Sequence, residues 1–102
     1  ILVTKAGPAT ITEATIAGLP MILSGKIPGQ EDGNVWHVVD NKAGVYASRP
    51  KQVATILEQW LMDERIWHDY AQNAKKIALP DAVWQIAEGI WEHLHRPTKT
   101  DI

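Results

Sequence analysis

From Thr4 to Ala14 the chain reads Thr-Lys-Ala-Gly-Pro-Ala-Thr-Ile-Thr-Glu-Ala. A short apolar run, Ile1 to Val3, stops at Gly7, and a helical pattern begins at once. That is the layout of a strand feeding an anion-binding turn. Exposed amides at a helix start carry partial positive charge, so an anion can sit there. Glu13 lies one turn into the helix, where a carboxylate can accept hydrogen bonds from sugar hydroxyls. A phosphate site and a ribose acceptor so close together point to a nucleotide.

Thr10 and Glu13 also have the spacing of a capping box, in which each side chain bonds the other's backbone amide. Taken alone, Thr-x-x-Glu marks a cap more often than a ligand site. Context shifts the balance, because Gly7 ends one strand and a second, Met21-Ile22-Leu23, follows the helix.

Other groups with chemical potential read more plainly. His93 and His95 are two apart on a helical segment and diverge, so they do not form a zinc pair. His37 follows a polar loop and could approach a ligand there, but it, like His68 and the other two, reads better as a surface or half-buried residue. Glu31 and Asp32 are adjacent, but a glycosidase needs two carboxyl groups facing each other across a bond, ~5 Å or more apart. Lys75-Lys76 and Arg96 to Lys99 are short basic clusters that read as solvated, with weak attraction to anionic lipid as their alternative use. No metal site and no catalytic residue is assigned.

Composition bounds these readings. The 102 residues make one domain or part of one. A formal charge of −2 leaves no basic surplus for nucleic acid. No apolar run approaches the ~18–20 residues of a spanning helix. The absence of cysteine excludes disulfides and thiolate metal sites. Five tryptophans and no phenylalanine allow bulky groups at the edge of a core or at a surface awaiting a partner, although ordinary core and half-exposed packing is the reading for most of them. The chain opens on Ile1, already inside an apparent strand, and is expected to be the later part of a longer protein.

The elements that must position the turn follow from periodicity. Residues 1–5 read as a buried strand and 9–17 as a helix whose inner face is Ile11, Ala14, Thr15 and Gly18. Gly18 and Pro20 stop it. Residues 20–24 form a second strand, parallel to the first because a helix connects them. The polar stretch Ser24 to Asn34, rich in Gly and Pro, leaves its carboxyl end, where open parallel sheets bind ligands. A helix at 34–42, with Val35, Val38 and Val39 apolar, is expected to stop near Gly44, before a brief strand at Val45-Tyr46-Ala47.

The remainder reads as three helices. Ser48 is the expected cap of the first, with Pro50 in its first turn and a stripe of Val53, Ile56, Leu57, Trp60 and Leu61. Asp63 caps the second, which carries Ile66, Trp67, Tyr70, Ala74 and Ile77. Pro80-Asp81 starts the third, with Val83, Ala87, Ile90, Trp91 and Leu94 inward. Residues 1–95 are read as a partial domain and 96–102 as a polar tail that frays. Strands alternating with helices make this part of a doubly wound α/β sheet.

Taken in order, KAGPATITEA, GLPMILS, IPGQEDGN and VVDNKAGVY resemble the C-terminal domain of the monogalactosyldiacylglycerol synthases. The wider group is the lipid-linked glycosyltransferases, which includes the enzyme that adds N-acetylglucosamine to the peptidoglycan lipid precursor. The likeness runs from Ile1 to Tyr46 and continues more loosely to Leu94. It implies an α/β fold, the C-terminal part of a Rossmann-like domain of a GT-B glycosyltransferase, with short parallel strands flanked by helices and a helical C-terminus.

By the same resemblance, Gly7, Pro8, Ala9 and Thr10 would meet the diphosphate of a UDP-sugar, and Glu13 the ribose hydroxyls. Gln30 and Glu31 would meet the transferred hexose, with Asn34 opening the helix behind them. Ala9 stands where the family commonly has Gly, which is tolerable if that residue is already helical. No cofactor and no essential metal are implied. The reaction would move galactose or glucose to a lipid acceptor such as diacylglycerol. The acceptor and any membrane surface would be met through an N-terminal domain, so these 102 residues are not expected to transfer sugar alone. A peripheral membrane protein of the cytoplasm, or of the chloroplast envelope in a plastid-bearing source, is implied. A UDP-sugar epimerase of the same architecture and a non-catalytic nucleotide-binding module are the alternatives.

Overall fold

The computed structural model describes residues 1–96. Strands β1 (Leu2–Lys5), β2 (Met21–Gly25) and β3 (Gly44–Tyr46) form one parallel sheet in the order β1-β2-β3. Leu2 pairs with Met21 and Met21 with Gly44, and the register slips between Thr4 and Lys5. Met21, Ile22 and Leu23 on the central strand are fully buried, as expected where both faces of a sheet are covered.

Helices α1 (Pro8–Ala17) and α2 (Asp32–Asp40) make the crossovers. On one face Met21 and Leu23 meet Ile11 and Ala14 of α1 and Val35 and Val38 of α2. On the other, Ile22 meets Ala47 and Trp60, the latter on helix α3 (Pro50–Met62). Helix α4 (Glu64–Ile77) reaches both clusters: Ala74 joins the first, while Tyr70 stacks on Trp60 with ring centroids 4.7 Å apart. Small inner residues on α1 allow this close approach. Gly18 ends α1 at φ 68, with its own amide and that of Leu19 bonded to Thr15 and Ala14 carbonyls.

Several boundaries differ from the sequence reading. Helix α2 begins at Asp32 rather than 34 and ends at Asp40, and a turn through Lys42 at φ 54 follows. Gly44 is therefore the first residue of β3 rather than a helix stop, and the strand sits one residue earlier than expected. The cap position of α3 is Arg49, without a side-chain bond, so Ser48 does not cap it. Asp63 does cap α4, accepting from the Arg65 amide at 3.1 Å.

Val39, Leu61 and Ile66 are exposed, because each lies one step round its helix from the buried stripe. Helix α5 (Ala82–His95) departs most: Ile90, Trp91 and Leu94, expected inward, are exposed, as is Ala87. Its amphipathic pattern is present, but none of its described side chains is covered by the sheet or by α1–α4. The molecule is accordingly long, 66 × 29 × 17 Å. The inward placement expected for Val83 and the polar tail from 97 onward lie outside the described residues.

Candidate functional site

The three strands run the same way, so their carboxyl ends share one rim. The turn after β1 and the loop after β2 lie side by side there, since the Ala6 amide donates to the Gly25 carbonyl at 2.8 Å.

Gly7 is the N-cap of α1, extended at φ −74 and ψ 136, and Pro8 is the first helical residue. Glycine carries no side chain to cap with, and proline carries no amide. The Ile11 amide is bonded to the Gly7 carbonyl at 3.0 Å. The amides of Ala9 and Thr10 find no partner among the described residues, so two donors and the dipole end of a ten-residue helix face outward.

A Cβ built on Gly7 would meet nothing within 4 Å. The fold itself therefore makes no demand for glycine there. Ala9 is helical and exposed, so its methyl points away from the core.

This start also decides the capping question. Thr10 is the third helical residue, not the cap, so Thr10 and Glu13 do not form a capping box. Pro8 moved the helix start forward. Glu13 is exposed, three and four residues on from the two free amides and on the same helical face as them.

The loop from Lys26 to Glu31 is tied to itself. Glu31 is 4 % exposed, and its Oε1 accepts from the Ile27 amide at 2.8 Å, while its own amide donates to the Ile27 carbonyl at 2.9 Å. Gly29 turns at φ 77, a conformation that favours glycine. Asp32 uses both carboxylate oxygens: Oδ1 takes the Lys26 ammonium, and Oδ2 accepts from the Gly29 amide at 3.1 Å. Asn34 Nδ2 donates to the Ala6 carbonyl at 3.0 Å, fastening the start of α2 to the turn after β1. Gln30 is exposed, with no side-chain hydrogen bond among the described residues.

Of the residues singled out from sequence, the structure thus brings Pro8, Ala9, Thr10 and Glu13 together on α1, with Gly7 as its cap. It sets Gln30 on the neighbouring loop and gives Glu31 and Asn34 bonds within the protein. No role for Lys26 and Asp32 is legible in the sequence. Opposite charges six residues apart, flanking a Gly/Pro loop, are the one signal that could have found them.

The Asp32 carboxyl is held below its ordinary value by the Lys26 hydrogen bond and then the Gly29 amide. The same bond raises Lys26. A lowered acid keeps its contact above its ordinary pKa and loses it as pH falls through the folded value; a raised base loses it only on alkalinisation. The lock is therefore intact at neutral pH. The Gly29 amide resonance is expected to titrate in acid with a midpoint below the ordinary 3.8, and a midpoint at or above 3.8 would remove the lock.

His37 lines a cleft of about 170 Å³ with Thr12 and Asn34, among aliphatic groups. His68 and His93 are exposed, and His95 stacks on Trp91 of its own helix. Among the described residues no three His, Asp or Glu side chains gather as a metal would require.

No family model matches the chain. It is 48% identical over 90 residues to monogalactosyldiacylglycerol synthase 3, chloroplastic, of Arabidopsis thaliana, covering 87% of this chain and 19% of that protein. It is 45% identical over 97 residues to the probable monogalactosyldiacylglycerol synthase 2, chloroplastic, of Oryza sativa subsp. indica, covering 94% and 21%. Among solved structures, MurG of Acinetobacter baumannii superposes with a TM-score of 0.74 at 22% identity, over 88% of this chain and 28% of that one. The chain spans about a fifth of the length of the curated relatives it matches. In sequence it is a relative of the monogalactosyldiacylglycerol synthases, and its α/β fold, three parallel strands flanked by helices, matches that of the C-terminal GT-B domain of MurG.

Proposed function

We propose that this chain is the donor-binding part of a hexosyltransferase that moves galactose or glucose from a UDP-sugar to a lipid acceptor such as diacylglycerol. One observation carries the reading: two free amides, an uncapped helix dipole and an exposed carboxylate share one face of α1. The amides of Ala9 and Thr10 would take the diphosphate, in the space left open by Gly7. Glu13 would accept from the ribose hydroxyls, and Gln30 would reach the hexose from the loop beside it. Glu31 would stand behind it, one oxygen already engaged by Ile27, and Asn34 would keep the loop and the turn in register.

The departing UDP gains negative charge as the sugar leaves, and amides already aimed at that charge lower the barrier without reorganising. No residue of this chain is assigned as the base for the acceptor hydroxyl. The relatives' names place them in the chloroplast, and for this protein we infer work at a membrane surface. None of the helices among the described residues is long and apolar enough to cross a membrane.

Glu13→Gln in the enzyme that carries this chain tests the reading. UDP affinity is expected to fall by about 1.5–3 kcal/mol, the scale of a hydrogen bond to a charged group. Stability should hold, because Glu13 is exposed and caps nothing. Calorimetry with UDP beside a urea melt measures both. Unchanged UDP affinity would remove Glu13 from the site.

A further inference from the structure

The loop that carries Gln30 has a built-in clamp, and its hub is a residue so far without a function. Asp32 is the first residue of α2, and its two oxygens reach back to opposite parts of the loop. One holds Lys26, next to the end of β2; the other holds the amide of Gly29, one residue before Gln30. A loop of Gly and Pro with an exposed tip would otherwise sample many conformations, and ordering it on binding would cost affinity. The clamp meets part of that cost in advance. It does so at one place, because Gly29 is the residue whose positive φ sets the direction of the tip.

We propose that Asp32 is a positioning residue for sugar recognition: by gripping Lys26 and Gly29 together it fixes the loop tip so that Gln30 faces the hexose of the donor. The proposal rests on the donor-binding reading above. Asp32 touches neither the diphosphate amides of α1 nor Glu13, so its effect is confined to the sugar end of the ligand. A residue needed only for folding would weaken both ends alike.

The test uses the full-length enzyme, with UDP and with UDP-galactose or UDP-glucose, whichever it turns over. In Asp32→Ala, KM for the sugar nucleotide is expected to rise about tenfold, while Kd for UDP stays within about twofold. Asp32→Asn keeps an acceptor for the Gly29 amide and loses only the charge on Lys26, so it should recover much of the KM. Lys26→Met should match Asp32→Asn in size, and these two variants carry the test if Asp32→Ala does not fold. Parallel losses of UDP and sugar-nucleotide affinity would overturn the proposal, as would an unchanged KM in all three variants. Failure of the unmutated enzyme to bind UDP would sink the donor-binding reading itself, and with it this proposal.

Discussion

Gly44→Ala is expected to destabilise the fold by about 3 kcal/mol, at the upper end of what overpacking costs. An alanine in a strand is ordinarily better than glycine by about 0.5–1 kcal/mol, so the sign here is reversed by local crowding. A Cβ at position 44 would fall 2.3 Å from the Met21 carbonyl oxygen, 2.8 Å from Val38 Cγ1 and 2.9 Å from Met21 Cβ. The first of these is backbone of the paired strand, which cannot swing aside without breaking the β2–β3 register. The second belongs to a fully buried residue of α2. A urea melt of the variant beside the parent measures the loss, and a change below about 1 kcal/mol would show that the strand can yield.

Gly7→Ser should do the opposite to stability and still damage binding. Serine is among the best N-cap residues, and its hydroxyl accepts from the second or third helical amide, here Ala9 or Thr10. The added Cβ meets nothing, so the fold should gain a few tenths of a kcal/mol. Those two amides are the proposed diphosphate donors. A hydroxyl that occupies one of them, in the space the anion needs, should weaken UDP by about 1.5–3 kcal/mol. Opposite signs in a melt and a calorimetric titration are hard to obtain by any general perturbation. UDP affinity equal to the parent's would place the diphosphate elsewhere.

The order of strands and helices was legible because each apolar run is bounded by a strong signal: Gly7, Gly18 with Pro20, the Gly/Pro loop, Pro50 and Asp63. Ends were less so. Pro8 at the first helical position moved Thr10 out of the cap, and a Thr-x-x-Glu pattern has no way of showing that it has slipped inward. Gly44 reads as a breaker on propensity, yet it is a strand residue chosen by the closeness of Met21, a contact that sequence does not display. For the candidate site, the turn and Glu13 were legible as a spacing along one helix. The clamp was not, since it depends on a path that brings Lys26, Gly29 and Asp32 together, and neither charge fits a known motif. Nor does the sequence display that Glu31 is buried, bonded to Ile27, while Gln30 beside it is exposed.

All three strands point the same way, and this has a consequence for how such a chain can change over generations. Gly44 opens β3 at the amino-terminal edge of the sheet, paired with Met21, whereas Gly7 and the loop to Asp32 lie at the carboxyl edge. Substitutions that alter what the rim is proposed to recognise therefore fall at some distance from those that decide whether the sheet forms. The 26–31 loop can drift in sequence, acquiring a new partner for Asp32 or a different side chain at 30, without disturbing Met21, Ile22 and Leu23 beneath it. On the proposed donor-binding reading, specificity and foldability are separable traits here, and one scaffold of this kind accommodates donors with different sugars.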